Sequence, residues 1–194
     1  MLTEPTVLFV RHGTTGKDDI LKGMMDPPLD DHGRELARQA GKRIAEFPVV
    51  SIQHSPLARA AETAAIIGKI VGVKPVEADA LGPMDVGRLS GMDKDKATDW
   101  LRYYIQHPDK APPGGKPLGP WFDAFAAHTR GEMAAAKKDP DGVRVNVTHS
   151  SESVNIPTIL RGGDIEYKGT GSPDPGSILR LFHRGGRWQT RELD

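Results

Sequence analysis

Apolar positions along this chain change spacing repeatedly, and each change marks an element. Val7-Leu8-Phe9-Val10 is a short continuous apolar run, as expected of a strand over 6–10 covered on both faces. Beyond it, Leu36, Ala40 and Ile44 recur at helical spacing, which predicts a helix over about 32–46 capped by Asp30 or Asp31. A strand over 49–55 and a helix over 56–72 follow, the latter with Pro56 near its first turn. Residues 74–78 read as a third strand, 93–106 and 120–137 as helices, 143–150 as a strand and 153–160 as the start of another helix. From Ser177 to Leu193 the side chains alternate on both sides of Gly185-Gly186, the pattern of a β-hairpin. Strands alternating with helices predict an α/β fold, with a mostly parallel central sheet and the hairpin at one edge. Gly and Pro gather in 107–120 and 168–177, which read as long surface loops. The pattern is that of one domain over 1–194, with a helical and loop cap inserted at about 93–128.

Composition narrows the function classes. The chain has 194 residues and no cysteine, which excludes disulfides, thiolate metal sites and a cysteine nucleophile. Lys+Arg and Asp+Glu both number 26, so the basic excess of a nucleic-acid binder is missing. No apolar run reaches the roughly 18 residues of a membrane span, and no leader precedes the first strand. A cytoplasmic protein is the expectation. The edge hairpin is a place where a second copy could pair, giving a homodimer.

Candidate chemistry lies where strands end. "VLFVRHG" and "VNVTHS" each place a histidine, His12 and His149, at the carboxyl end of a strand. Open α/β sheets bind ligands in the crevice beyond those ends. "SPLARAAETA" adds Arg59 in the first turn of a helix, where free N–H groups and partial positive charge suit a phosphate. The plain alternative is a solvated Arg59 paired with Glu62. Arg11, Arg59, His12 and His149 together would form a cationic pocket whose natural guest is a phosphoryl group. An imidazole can attack phosphorus, and the arginines neutralise the equatorial oxygens; the chemistry needs no metal and no cofactor.

These segments, with "DPPLDDHGRELARQAGKRI" at 26–44, resemble the histidine phosphatase superfamily, the phosphoglycerate-mutase-like proteins, over nearly the whole chain. The resemblance implies a three-layer α/β/α sandwich, a phosphohistidine formed on His12, and a phosphate held by Arg11, Arg59, His149 and Gly23. Gly23 begins the stretch that matches the family's G-x-x-D-x-P-L. "PPGGK" resembles its PGGE turn and "PDPGSI" its late segment.

Departures from the pattern bear on the reaction. The family's L-x-E-x-x-x-G-x-x-x-G carries the acid that protonates the leaving oxygen, and here "LGPMDVGRLSG" puts Pro83 in its place. Asp85, two residues on, faces the same side in an extended segment and is the expected substitute. Asp18 stands where mutases have a phosphate-binding Asn, Thr14 where many relatives have Glu, and Lys116 replaces the Glu of the PGGE turn. Ser150 and Ser151 follow His149 where glycines are common. These changes, and a chain shorter than the usual mutase, favour a metal-independent phosphatase acting on a small phosphorylated substrate or a phosphoprotein. The alternative is a phosphate-binding or interaction domain without turnover, and a mutase is the least expected. Trp100, Tyr103, Tyr104, Trp121 and Phe125 could line a leaving-group pocket or pack a cap on the core.

Overall fold

The computed structural model describes residues 4–16, 19–163 and 173–193. Asp18 and the first part of the 168–177 loop lie outside them. Strand β1 (Thr6–Arg11) is buried along its whole length, and its alternation creates the layers. Leu8 and Val10 join a core with Ala40 and Ile44 of α1 (Asp31–Ile44) and Ala60, Ala64 and Ile67 of α2 (Ala58–Val71). On the other face, Val7 and Phe9 meet Phe122, Phe125 and Ala126 of α4 (Leu118–Lys138) and Ile156 and Ile159 of α5 (Ser150–Arg161). Phe9 and Phe125 meet edge to face, their ring centroids 5.9 Å apart. The result is a three-layer α/β/α sandwich.

With β2 (Val49–His54), β3 (Val76–Glu77), β4 (Val143–Thr148), β5 (Ile178–Arg184) and β6 (Arg187–Leu193), the sheet runs β3-β2-β4-β1-β5-β6. The β1–β4, β2–β4 and β2–β3 pairs are parallel, and the β5–β6 hairpin adds antiparallel strands at one edge, as the alternation predicted. Differences are local. β3 shrinks to two residues, since Pro75 has no N–H to donate at the sheet edge. α5 begins at Ser150, directly after β4, and carries Pro157 inside it. Asp30 caps α1 by accepting from Gly33 N. Leu36 lies only half-buried, and Ala37 takes the buried position beside Ala40.

A separate cluster joins α3 (Lys94–Gln106) to the 84–92 loop through Val86, Leu89, Leu101, Tyr104 and Leu118. Of the aromatic residues in 93–128, Trp121 and Phe125 belong to the sheet core and Tyr104 to this cluster, while Trp100 and Tyr103 are exposed. No helix among the described residues is long and apolar enough to cross a membrane.

The loop leaving β1 is pressed onto the start of α1. A Cβ on Gly13 would stand 2.3 Å from Gly33 O, and one on Gly33 would stand 2.2 Å from Thr14 O. Backbone meets backbone, so neither can yield cheaply. Gly13→Ala is therefore expected to cost about 1–3 kcal/mol in urea unfolding. Gly131→Ala, on the open face of α4 with nothing within 4 Å, is expected to stabilise by about 0.5–1 kcal/mol.

Candidate active site

Parallel register sets the two histidines side by side. Arg11 lies opposite Thr148 in the β1–β4 pair, so His12 and His149 are the next residues on adjacent strands. His12 N donates to Thr148 O at 3.0 Å, and the imidazole centroids are 4.9 Å apart at 67°. Both rings are buried, each 4% exposed.

The tautomer of His12 follows from its neighbours. Nδ1 lies 2.7 Å from Gly13 O, which can only accept, so Nδ1 carries the hydrogen. Nε2 then has a free lone pair, and it accepts from Arg59 Nε at 3.1 Å. Burial first, then the Arg59 charge, pulls the His12 imidazole down from 6.5 to about 3; Arg11 and Lys22 act in the same direction. His149 is pushed well below its ordinary value by burial and by His12, Arg59 and Arg11. Its Nε2 pairs with Ser55 Oγ at 2.8 Å, and its Nδ1 is buried without a partner among the described residues. Both imidazoles are neutral near pH 7.

Arg59, 2% exposed, is the second residue of α2, whose opening N–H at Ala58 is capped by Asp26 Oδ1 at 2.7 Å. Its guanidinium donates to Met25 O at 2.5 Å and Gly23 O at 3.2 Å, with Asp26 3.9 Å away. Thr63 Oγ1 donates to Arg59 O at 2.8 Å and accepts from Gly13 N at 3.2 Å, locking the β1 loop to α2. The surface pairing of Arg59 with Glu62 does not form. Glu62 instead takes Arg34 Nε at 2.6 Å and Leu29 N at 3.2 Å, and Arg59 turns inward. Arg11, 8% exposed, donates through Nη1 to Pro173 O.

The structure thus brings Arg11, His12, Arg59 and His149 together. Gly23 contributes a carbonyl to Arg59; its φ of +48° and the contact a Cβ would make with Val86 at 2.6 Å both require glycine. Asp85 is half-buried and bonds elsewhere: its Oδ1 accepts from Gly87 N at 3.2 Å, and its carbonyl accepts from Lys116 N at 3.1 Å. The Lys116 bond, with Arg88 N donating to Pro113 O at 2.9 Å, fastens the 84–91 loop to the Pro-Gly-Gly turn. Thr14 hydroxyl donates to Asp30 Oδ1 at 2.6 Å, supporting the α1 cap. Lys116 is exposed, and among the described residues no three His, Asp or Glu side chains converge as a metal site requires.

Sequence reasoning missed four residues here. Ser55 ends β2 in the way the histidines end β1 and β4, and that parallel was a usable signal. Thr63 gave none, because a threonine inside a helix carries no mark of its partners. Lys22 stands next to Gly23 in the matched stretch and adds positive charge at His12. Glu152, three residues after His149, reads in sequence as an ordinary first-turn acid of a helix and gave no signal. It is 0% exposed, and burial raises its carboxyl from 4.5 to about 8.

Comparison with known proteins gives a consistent picture. The family model described as histidine phosphatase superfamily (branch 1) matches residues 7–193. A 2,3-bisphosphoglycerate-dependent phosphoglycerate mutase of Parvibaculum lavamentivorans is 36% identical over 90% of this chain and 93% of its own. The uncharacterized phosphatase PhoE of Bacillus subtilis is 29% identical over 84% of this chain and 81% of its own. A solved structure of a mycobacterial glucosyl-3-phosphoglycerate phosphatase with VO3 superposes with a TM-score of 0.80 at 20% identity, covering 96% of this chain and 97% of that one. The length argument against a mutase fails, because the chain spans 93% of the Parvibaculum mutase.

The buried groups set opposite pH dependences. His12 and His149 are depressed in the fold, so their contribution to stability is complete above about 6.5 and is lost as pH falls below it, for His12 down to about 3. Glu152 is raised, so its contribution is complete below about 4.5 and is lost as pH rises through about 8. Chemical unfolding across pH 3–9 is expected to show both limbs, with His12→Asn flattening the acid one and Glu152→Gln the alkaline one.

Proposed function

The chain belongs to the histidine phosphatase superfamily, and we propose that within it the protein is a phosphatase hydrolysing phosphate esters or anhydrides through a phosphohistidine on His12. One observation carries the reading: a buried, neutral imidazole with Nδ1–H tied to Gly13 O and the Nε2 lone pair held against the Arg59 guanidinium.

An arriving phosphate dianion competes with His12 Nε2 for Arg59. The guanidinium turns to the phosphate oxygens and frees the lone pair. Nε2 then attacks phosphorus in line, the P–N bond forms and the P–O bond to the leaving group breaks. Charge developing on the ring is met by Gly13 O through Nδ1–H. Arg11 and Arg59 neutralise the equatorial oxygens, and the unpartnered Nδ1 of His149 offers a further contact to the phosphoryl group. Water attacks the phosphohistidine from the vacated side, releasing phosphate and restoring His12. The substrate in this reading is a small phosphorylated molecule or a phosphoprotein of the cytoplasm, and no metal takes part.

A mutase is the second reading, favoured by the 36% identity to the Parvibaculum protein. It would keep the phosphoryl group on His12 and return it to a second hydroxyl instead of losing it to water.

Hydrolysis of p-nitrophenyl phosphate in the presence of EDTA separates the readings. Wild type is expected to turn over, and His12→Ala to lower kcat by about 10³-fold or more. Arg59→Lys is expected to lose about 10-fold or more in kcat/KM, because an ammonium cannot replace the fork. A phosphoenzyme made from 2,3-bisphosphoglycerate that survives until a phosphoglycerate arrives would select the mutase. Phosphate binding without turnover would select a binding domain.

A further inference from the structure

Pro83 leaves no carboxyl where the family's pattern places its acid, and Asp85 turns one carboxylate oxygen to Gly87 N at 3.2 Å. A second carboxyl, on α5, shares the Trp121 indole as a neighbour with the 81–83 segment. Thr148 Oγ1 donates to Leu81 O at 3.0 Å, and Trp121 Nε1 donates to Gly82 O at 2.9 Å, so the 81–83 segment lies against the end of β4 and the start of α4. Glu152, in the first turn of α5, has the Trp121 indole as a neighbour. Its Oε2 is 2.7 Å from Ser151 Oγ, and its Oε1 is buried with no close hydrogen-bond partner among the described residues, the Trp121 N–H and its own backbone N–H acting on the carboxyl from farther off.

An ionised carboxylate with an unpaired buried oxygen is costly, and a packed helix would expel it or pair it. The charged side chain facing it is Arg59 of α2, the same guanidinium that faces His12 Nε2; α4 presents the Trp121 N–H and α5 the Ser151 hydroxyl. Glu152 is therefore neutral near pH 7, a carboxylic acid stored beside the phosphate site. Ser151 is half-buried in the first turn of α5, two residues after His149, and its hydroxyl touches the Glu152 carboxyl.

We propose that Glu152 is the proton reservoir for the leaving group, delivering its proton through the Ser151 hydroxyl in place of an acid at position 83. This rests on the phosphatase reading above. In the first step the P–O bond breaks, the departing oxygen takes the proton of Ser151 Oγ–H, and Ser151 takes that of Glu152 Oε2–H. The carboxylate so formed is balanced by Arg59 and, in the second step, recovers its proton through Ser151 from the attacking water. The geometry makes Glu152 matter for leaving groups that need protonation, such as alkyl phosphates, and not for those that leave as stable anions.

The test compares an alkyl phosphate, glycerol 2-phosphate, with p-nitrophenyl phosphate in wild type, Glu152→Gln, Ser151→Ala and Asp85→Asn. Glu152→Gln and Ser151→Ala are expected to lower kcat on the alkyl ester by about 10²–10⁴-fold and leave the nitrophenyl ester within about threefold. Wild-type kcat on the alkyl ester should fall above about pH 8, and the Gln variant should lack that limb. Near-ultraviolet circular dichroism checks folding, and Ser151→Ala decides if Glu152→Gln does not fold. Equal losses on both esters, no loss on either, or a selective loss confined to Asp85→Asn would each overturn the proposal. So would a wild type that cleaves only the nitrophenyl ester, which leaves the phosphatase reading standing. A wild type that cleaves neither removes both.

Discussion

A guanidinium buried at the end of a central strand is the constraint around which this site is built. Arg59 stays charged at any accessible pH, and taking that charge out of water costs several kcal/mol unless each donor is met. Here the donors go to two carbonyls and an imidazole, while the carboxylate of Asp26 stands 3.9 Å away. That solution dictates the rest. The 20–30 segment must fold back so that Gly23 and Met25 present their carbonyls, which requires a positive φ at Gly23. Asp26 must sit where it also caps α2, and His12 must be neutral with Nε2 open. A protonated His12 would put two cations in contact, so the burial of Arg59 and the readiness of His12 are one arrangement.

Register between β1 and β4 does the remaining positioning, and a polar layer beneath the sheet holds it. Asn146, opposite Phe9 on β4 and fully buried, donates to Glu132 Oε2 at 3.3 Å and meets His128 Nε2 at 2.8 Å. Gln53 of β2 donates to Glu132 Oε1 at 3.0 Å. A slip of β4 by one residue would strand these groups in the core and turn Val145 and Val147 to the wrong face. The same slip would carry His149 away from His12. Stability and site geometry therefore depend on one register.

Much of this was legible because it is periodic or punctuated. The layers followed from apolar spacing, and the strand ends announced themselves by the abrupt change from Val10 to Arg11-His12 and from Val147 to Thr148-His149. Four of the predicted site residues meet for that reason. What escaped was set by tertiary contacts that leave no local trace. Whether Arg59 turned outward to Glu62 or inward depended on Arg34, 25 positions earlier, capturing that carboxylate. Asp85 matched a spacing in sequence, and the bond from the Gly87 N–H to its Oδ1 is a local contact that the spacing did not announce. Glu152 looked like an ordinary first-turn acid on a helix, a favourable place for an anion. Its burial against Trp121 comes from the packing of α4 on α5, which no window of sequence contains.

Burial leaves the site with an unusual charge state. Arg11 and Arg59 keep their charges, while His12, His149 and Glu152 are all held neutral by the same loss of water. The pocket's own groups are thus a pair of fixed cations lined by neutral side chains that can accept or give a proton. A phosphate dianion matches that pair in charge, and its entry reduces the forces that kept both imidazoles neutral. A nearby anion makes His149 easier to protonate and Glu152 harder to ionise. Without a ligand neither change is favoured. In the proposed reaction the order of events would follow from the ligand's own charge acting on groups that the fold has already desolvated, with the turn of the Arg59 guanidinium away from His12 as the first response.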